Sequence, residues 1–300
     1  MADVSELMAR RLEKAGILTE ALPFLRRHHK SSFVVKYGGH AMGDPKAADI
    51  FARSIILLRH VGIFPVVVHG GGPQIAKMLE RLNIQSDFVD GLRVTTQEII
   101  DVVEMVLAGA INKEIVGAFA AAGGSAVGIS GKDGHLIKAK RLQKHKKDPE
   151  SNIEKVLDFG LVGEPTEVDP KVLYALKDTD FIPIVSPIGF GENGETLNIN
   201  ADTSAGAIAG AMKANRLYML TDVPGVLDKQ GNLLTNLSIA EARKLIEDGV
   251  VTGGMIPKIE TCIKAVEEGV HAAVIMDGRN PNVILVEAFT ESGAGTLIHA

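Results

Sequence analysis

The stretch Phe64-Pro65-Val66-Val67-Val68-His69-Gly70-Gly71-Gly72-Pro73 constrains this chain more than any other. A short apolar run rich in Val reads as a buried strand. Three glycines stop it, and Pro73 then stands where a helix tolerates proline, in its first turn. Strand, glycine loop and helix in that order belong to an α/β layer, with the loop at the carboxyl end of a strand, where ligands bind. Glycine lets backbone N–H groups approach an anion closely there, and a helix N-terminus adds favourable potential. An earlier strand at 33–36 ends in Lys36 and runs into Gly38-Gly39, which puts a lysine beside a second such loop.

The rest of the chain repeats the alternation. Helical spacing is read at 44–60, 96–122, 202–212, 238–248 and 257–268, with a shorter helix near 170–176. Strands are read at 126–129, 158–162, 181–185, 217–220 and 272–276, and a last edge strand at 295–298. Asp133-Gly134 is expected to turn a hairpin, and 191–194 a second one. The pattern means an α/β fold with a mainly parallel sheet between helices. Composition agrees, since 46% of residues are hydrophobic, only 4% are aromatic and Trp is absent. Aliphatic side chains must therefore fill the core. A boundary at 183–191 divides the chain into two lobes, 31–186 and 187–300, that share one sheet. Ahead of them, Val4, Leu7, Met8, Leu12 and Ala15 recur at helical spacing until Pro23. That helix packs either on its own core or on another subunit.

Several classes are excluded. Net charge is −5 with both signs interspersed, which argues against nucleic acid as a partner. The basic run 138–147 is read as a solvated loop or hairpin because acidic residues come directly after it. No run is apolar enough to span a membrane, and the first thirty residues lack a signal core. One cysteine, Cys262, permits no disulfide framework, so a cytoplasmic protein is expected. No Walker loop, nucleophile elbow or zinc spacing occurs, and no metal-binding side chains are singled out. Gly189, Gly191 and Gly194 match a dinucleotide fingerprint only by spacing, with no helix after them.

The second half carries its own loops. Thr221-Asp222-Val223-Pro224-Gly225-Val226-Leu227 follows a strand directly. Gly253-Gly254-Met255-Ile256-Pro257-Lys258 runs into a helix with a lysine in its first turn, where it opposes the helix dipole. A bound anion is the more economical reading of that lysine, and a solvated side chain is the alternative. Asn200 is a helix N-cap by type. Asp202 either favours the helix dipole or holds the two lysines in place.

In order and combination, Lys36-Tyr37-Gly38-Gly39, His69-Gly70-Gly71-Gly72, Gly91-Leu92-Arg93-Val94-Thr95, Asn198-Ile199-Asn200-Ala201-Asp202, the 221–227 loop and Gly254-Met255-Ile256-Pro257-Lys258 resemble the amino-acid kinase family. The resemblance runs from about residue 32 to the end. Within the family it points to the branch acting on N-acetyl-L-glutamate, an early step of arginine biosynthesis. It implies a three-layer α/β/α fold. Residues 31–186 would bind the acylated amino acid and dimerise, and residues 187–300 would bind ATP with Mg2+. Lys36 and Lys258 would stabilise the migrating phosphoryl group, with Asp202 orienting them. Gly71, Gly72, Arg93 and Asn198 would hold the acceptor. Gly38, Gly39, Asp222, Val223, Pro224, Gly225, Val226, Leu227, Val250, Val251 and Thr252 would contact the nucleotide. The extension 1–30 resembles that of arginine-inhibited hexamers, built as trimers of dimers. His271, Glu287 and Gly293 resemble their arginine-binding positions, and a nitrogen-signalling protein is a further partner the resemblance suggests.

The chemistry is consistent with such a site. A γ-carboxylate is ionised at pH 7 and needs no general base. What it needs is alignment with a second anion and compensation of charge on the phosphoryl oxygens. The competing readings are a sister kinase acting on aspartate, glutamate, carbamate or a nucleoside monophosphate, a non-catalytic arginine sensor, and a dinucleotide-dependent oxidoreductase.

Overall fold

The computed structural model describes residues 4–38, 42, 44–89, 91–147 and 154–300. It opens with α1 (Val4–Glu20) and α2 (Leu22–His28), separated at Ala21, with Pro23 in the first turn of α2. Met8, Leu12, Ile17, Leu18 and Leu22 along these helices are exposed. Then come β1 (Ser32–Tyr37), α3 (Pro45–His60), β2 (Phe64–His69), α4 (Gly72–Arg81), and the short pair β3 (Phe88–Val89) and β4 (Leu92–Arg93). The helix expected at 96–122 is present but not uniform. It consists of α5 (Gln97–Glu104), a π-turn over Met105–Ile111, and α6 (Asn112–Ala121).

The middle of the chain holds β5 (Ala126–Ser130), β6 (Ile137–Lys147), β7 (Glu154–Val168), α7 (Lys171–Lys177), β8 (Ile182–Ser186), β9 (Ile188–Phe190) and β10 (Thr196–Ile199). The last part holds α8 (Ala201–Ala211), β11 (Arg216–Thr221), β12 (Asn236–Ser238), α9 (Ile239–Glu247), α10 (Met255–Glu267), β13 (Ala272–Asp277), α11 (Val283–Phe289) and β14 (Gly295–His299).

One sheet of eight strands runs in the order β12-β14-β13-β11-β1-β2-β8-β5. Its neighbours are parallel except β13 and β14. Strands from both halves of the chain therefore belong to one sheet. Every residue of β1, β2, β8 and β13 is buried, as expected for strands covered on both faces. Helices α8 and α10 pack together on β1, β11 and β13, while α3 and α6 pack together beside β2 and β8. The result is a three-layer α/β/α sandwich. Phe33 and Tyr218 meet edge to face at 5.3 Å in its centre. Each such ring contributes roughly 1.5–3 kcal/mol by burial.

Two expectations are corrected. Asp133-Gly134 does not turn a hairpin. The Asp133 carboxylate accepts from the N–H and hydroxyl of Ser130 and curls the chain into a short 3-10 turn. β5 then stays in the main sheet, while β6 leaves it to join β7, β9 and β10 in a small closed barrel. The strand at the chain end is not the edge either, because β12 pairs outside it. The basic run 138–147 does form one arm of a long hairpin with β7, and 191–194 does turn the β9–β10 hairpin.

Candidate active site

Register places the two glycine loops side by side. Tyr37 pairs with His69, and the Gly70 N–H donates to the Tyr37 carbonyl at 2.8 Å. Both loops leave the sheet at its carboxyl edge and border a cavity of about 320 Å³. The cavity is lined by Lys36, Gly38, Gly70, Gly71, Gly72, Arg93, Asn198, Asn200, Asp202 and Lys258, with Phe88, Leu107, Val162 and Pro187 among its apolar walls.

Asp202 is its electrostatic centre. Asn200 caps α8 by accepting from the N–H groups of Asp202 and Thr203 at 2.8 and 3.2 Å, which fixes the first helical turn. α8 packs closely on α10 because Gly206 leaves room: a Cβ there would lie 2.6 Å from Thr261 Cγ2. The two helix starts therefore meet. Lys36 Nζ lies 3.0 Å from Asp202 Oδ1, and Lys258 Nζ lies 2.6 Å from Oδ2. Burial pulls the Asp202 pKa upward, but the two ammonium groups outweigh it and hold the carboxyl below its usual range. The lysine that opposes the α10 dipole thus has its anion from within the chain.

The opposite wall is built around Arg93. It is buried, its guanidinium stacks 4.5 Å over the Phe88 ring, and it donates to the Ser86 hydroxyl. Burial lowers its pKa, and among the described residues no carboxylate faces it. Thr95 is fully buried and joins this wall to the next, donating to the Arg93 carbonyl at 3.0 Å and accepting from Asn198 Nδ2 at 3.4 Å. Among the described residues, the charged side chains lining the cavity are Lys36, Arg93, Lys258 and Asp202: three cations less one anion leaves two positive charges. Such a cavity suits a small ligand with two negative groups.

The structure does not bring every sequence-derived residue here. Gly39 lies outside the described residues. Asp222, Val223, Pro224, Gly225, Val226 and Leu227 follow β11, and Val250, Val251 and Thr252 precede α10, and none of them lines the cavity. Gly225 and Val226 are packed inside; the Val226 N–H donates to Thr296 Oγ1 at 2.8 Å. Asp222, Pro224, Leu227 and Thr252 are exposed or half-buried. Among the described residues no cluster of three or more His, Cys, Asp or Glu could hold a metal.

His271, Glu287 and Gly293 gather elsewhere, in a cavity of about 800 Å³. Its walls are α2, α11 and β14, with Phe24, Arg27, His28 and Arg216 among the lining residues. Gly293 has φ of +64°, and a Cβ there would lie 2.8 Å from Glu287 Oε2, so glycine lets the carboxylate approach. The Ala294 N–H donates to the same oxygen at 2.7 Å. Burial raises the Glu287 pKa, against this hydrogen bond and Arg216. The sequence reading missed α11 and the contribution of α2. It also missed Leu107, Val162 and Pro187, apolar residues that nothing local distinguishes from core.

A three-layer sandwich with two glycine loops at one sheet edge, facing a lysine–aspartate–lysine set, defines an anion-handling transferase fold. The chain belongs to the amino acid kinase family, whose model matches residues 31–277. Within the family it stands with the acetylglutamate kinases. The protein of that name from Rhodospirillum rubrum is 62% identical over 289 residues, 96% of this chain and 93% of that one. The one from Gluconobacter oxydans is 59% identical over 288 residues, 96% of this chain and 98% of that one. Among solved structures, N-acetylglutamate synthase from Neisseria gonorrhoeae with coenzyme A and N-acetyl-glutamate superposes with a TM-score of 0.81 at 23% identity, over 95% of this chain. This chain spans 63% of that one. Carbamate kinase from Giardia lamblia bound to AMP-PNP gives 0.63 at 17% identity, over 90% and 98%. These two show the shared fold.

Proposed function

We propose that this protein transfers the γ-phosphoryl group of ATP to the side-chain carboxylate of N-acetyl-L-glutamate, giving an acyl phosphate on the route to arginine. The observation that carries the reading is the placing of Lys36 and Lys258 at one wall and Arg93 at the other, an excess of two positive charges among the described residues lining the cavity. Arg93 matches the α-carboxylate in a planar clamp, and Asn198 offers an amide to the same molecule. The γ-carboxylate then faces Lys36, Lys258 and the N–H groups of Gly71 and Gly72. It is already ionised and attacks the γ-phosphorus directly. The bond from phosphorus to the β,γ-bridging oxygen breaks, and its electron pair leaves on ADP.

The two lysines compensate charge on the equatorial oxygens, and Asp202 keeps both amines aimed. Gly38, Gly39 and the 222–227 and 250–252 segments hold the nucleotide. Magnesium arrives as part of MgATP. Among the described residues the one carboxylate lining the cavity, Asp202, is taken up by two ammonium groups, so phosphate oxygens and water would supply the ion's ligands.

Arginine is proposed as inhibitor at the 800 Å³ cavity, with Glu287 receiving its guanidinium and His271 and Gly293 beside it. The apolar stripe on α1 and α2 supports assembly of dimers into a hexamer, and a nitrogen-signalling protein is a further proposed partner. Residues 31–186 form the acceptor and dimerisation lobe, 187–300 the nucleotide lobe, and 1–30 the regulatory extension. ADP release measured with N-acetylglutamate, glutamate, aspartate, carbamate and UMP in turn tests the acceptor. Turnover with N-acetylglutamate well above the rest supports the reading, and preference for any other acceptor sinks it. Full activity at millimolar arginine would sink the inhibitor proposal alone.

A further inference from the structure

Behind the glycine loop lies a buried polar network, and neither of its two principal side chains lines the cavity. His69 closes β2, is fully buried, and has Nδ1 2.8 Å from the Gly70 carbonyl oxygen. A carbonyl only accepts, so Nδ1 carries the proton and Nε2 is an acceptor. Nε2 faces Asn112 Nδ2 at 3.3 Å. That amide has two N–H bonds for three acceptors: one serves the Ile184 carbonyl on β8 at 2.9 Å, and the other is shared between Nε2 and the Ile129 carbonyl on β5, also at 3.3 Å. Asn112 Oδ1 accepts from Lys113 Nζ at 3.1 Å. Every polar atom of this set has a partner, and burial keeps the imidazole neutral, with a pKa of about 4.

The π-turn seats the network. The Asn112 N–H donates to the Leu107 carbonyl five residues back, which fits an extra residue into the turn and shifts the phase of α6 after it. Leu107 and Ile111 then press on Gly71, where a Cβ would lie 2.6 Å from Leu107 Cδ2 and against Ile111 Cδ1. The next residue, Asn112, turns under His69. Gly128 clears its place, since a Cβ there would fall within the Asn112 amide.

Direction comes from the planar trans peptide. The Gly70 carbonyl and the Gly71 N–H belong to one plane and point opposite ways. Tying the carbonyl to His69 on the buried side turns the Gly71 N–H toward the other side, where Gly70, Gly71 and Gly72 line the cavity. We propose that His69 and Asn112, seated by the π-turn at Met105–Ile111, are positioning residues that aim the Gly71 N–H at the transferring phosphoryl group. The inference rests on the phosphoryl-transfer reading above.

Two substitutions separate aim from packing. His69→Asn sets an amide donor near the former Nδ1 and keeps the bond to Gly70. His69→Gln reaches toward the former Nε2, keeps a partner for Asn112 and loses that bond. Both remove the ring, so thermal midpoints should fall alike. The Asn variant should keep kcat within about tenfold of wild type, while the Gln variant loses on the order of 100-fold, the size of a lost oxyanion donor.

Equal kcat losses in the two His69 variants, or losses that simply track their midpoints, would overturn the proposal. A wild type inactive toward N-acetylglutamate removes the functional reading and this inference with it. An active wild type with indifferent variants removes only this inference.

Discussion

Asp202→Asn is the sharpest perturbation of the site, because it removes one charge and almost no volume. The carboxylate holds Lys36 at 3.0 Å and Lys258 at 2.6 Å, with side-chain exposures of 15% for Asp202, 11% for Lys36 and 22% for Lys258. At an effective dielectric of about 20, each contact is worth about 5–6 kcal/mol of bare Coulomb attraction, most of it offset by desolvation of the three charges. Removing the shared anion leaves two ammonium groups partly buried against a neutral amide. Breaking such a set costs about 3–5 kcal/mol, and the lower end applies because Lys258 can swing toward water. In a chain of 300 residues a loss of about 3 kcal/mol corresponds to a fall of roughly 5 °C in thermal midpoint. With both amines no longer aimed, kcat should drop on the order of 100- to 1,000-fold. MgATP should raise the variant's midpoint more than that of wild type, since its phosphates replace the missing anion.

The assay is kcat at about pH 7.5 beside a thermal melt with and without nucleotide. The working pH does not confound it. The folded Asp202 value lies below that of the unfolded chain, so the contribution is present above about pH 4 and is lost only as pH falls through the lower folded value. A variant with kcat within about threefold of wild type would refute the reasoning that Asp202 aims the lysines.

Further outcomes rest on the same geometry. His28 and His69 are buried and neutral, with values of about 4 against about 6.5 unfolded. Only the unfolded chain takes up these protons between those values, so stability should fall as pH drops from about 6.5 toward 4, by about 3 kcal/mol per residue. Urea midpoints at about pH 7 and 4.5 measure this, and His28→Asn should flatten the dependence; an unchanged slope contradicts the assignment. Glu287→Gln should raise the arginine concentration for half-inhibition about tenfold or more, and an unchanged inhibition curve would exclude Glu287 from that cavity's chemistry. Gly71→Ala drives a Cβ into Leu107 and Ile111 and should cost about 1–3 kcal/mol along with most activity; a melt equal to wild type would contradict the packing. Cys262 is fully buried and its thiol is pushed up by burial, so a thiol reagent should label it only after unfolding.

Much of this was legible because local chemistry and global fold agree at the loops. Val66, Val67 and Val68 stopping at Gly70 declare a buried parallel strand and its turn, and Asn200 before an Ala-rich stretch declares a helix start. The lysine–aspartate–lysine set could be suspected from residue types, but its closure depends on α8 meeting α10 across Gly206, a long-range fact. Asn112 was invisible for a stronger reason. A π-turn has no pattern of its own, and the residue reads as one more polar position on a helix until Gly128 and His69 are brought against it. The Asp133 turn was misread because a side-chain bond to Ser130 overrode an Asp-Gly signal. Arg216 and His28 escaped notice as cavity residues because strand β11 and helix α2 meet only in three dimensions.

The proposed phosphoryl transfer to a carboxylate runs between Lys36 and Lys258. The most direct measurement supplies MgATP and N-acetyl-L-glutamate, traps the acyl phosphate with hydroxylamine, and compares wild type with Lys258→Ala. Hydroxamate is expected to require both substrates and to fall on the order of 100-fold or more in the variant. Wild type that forms none, or a folded variant that forms as much as wild type, would contradict it.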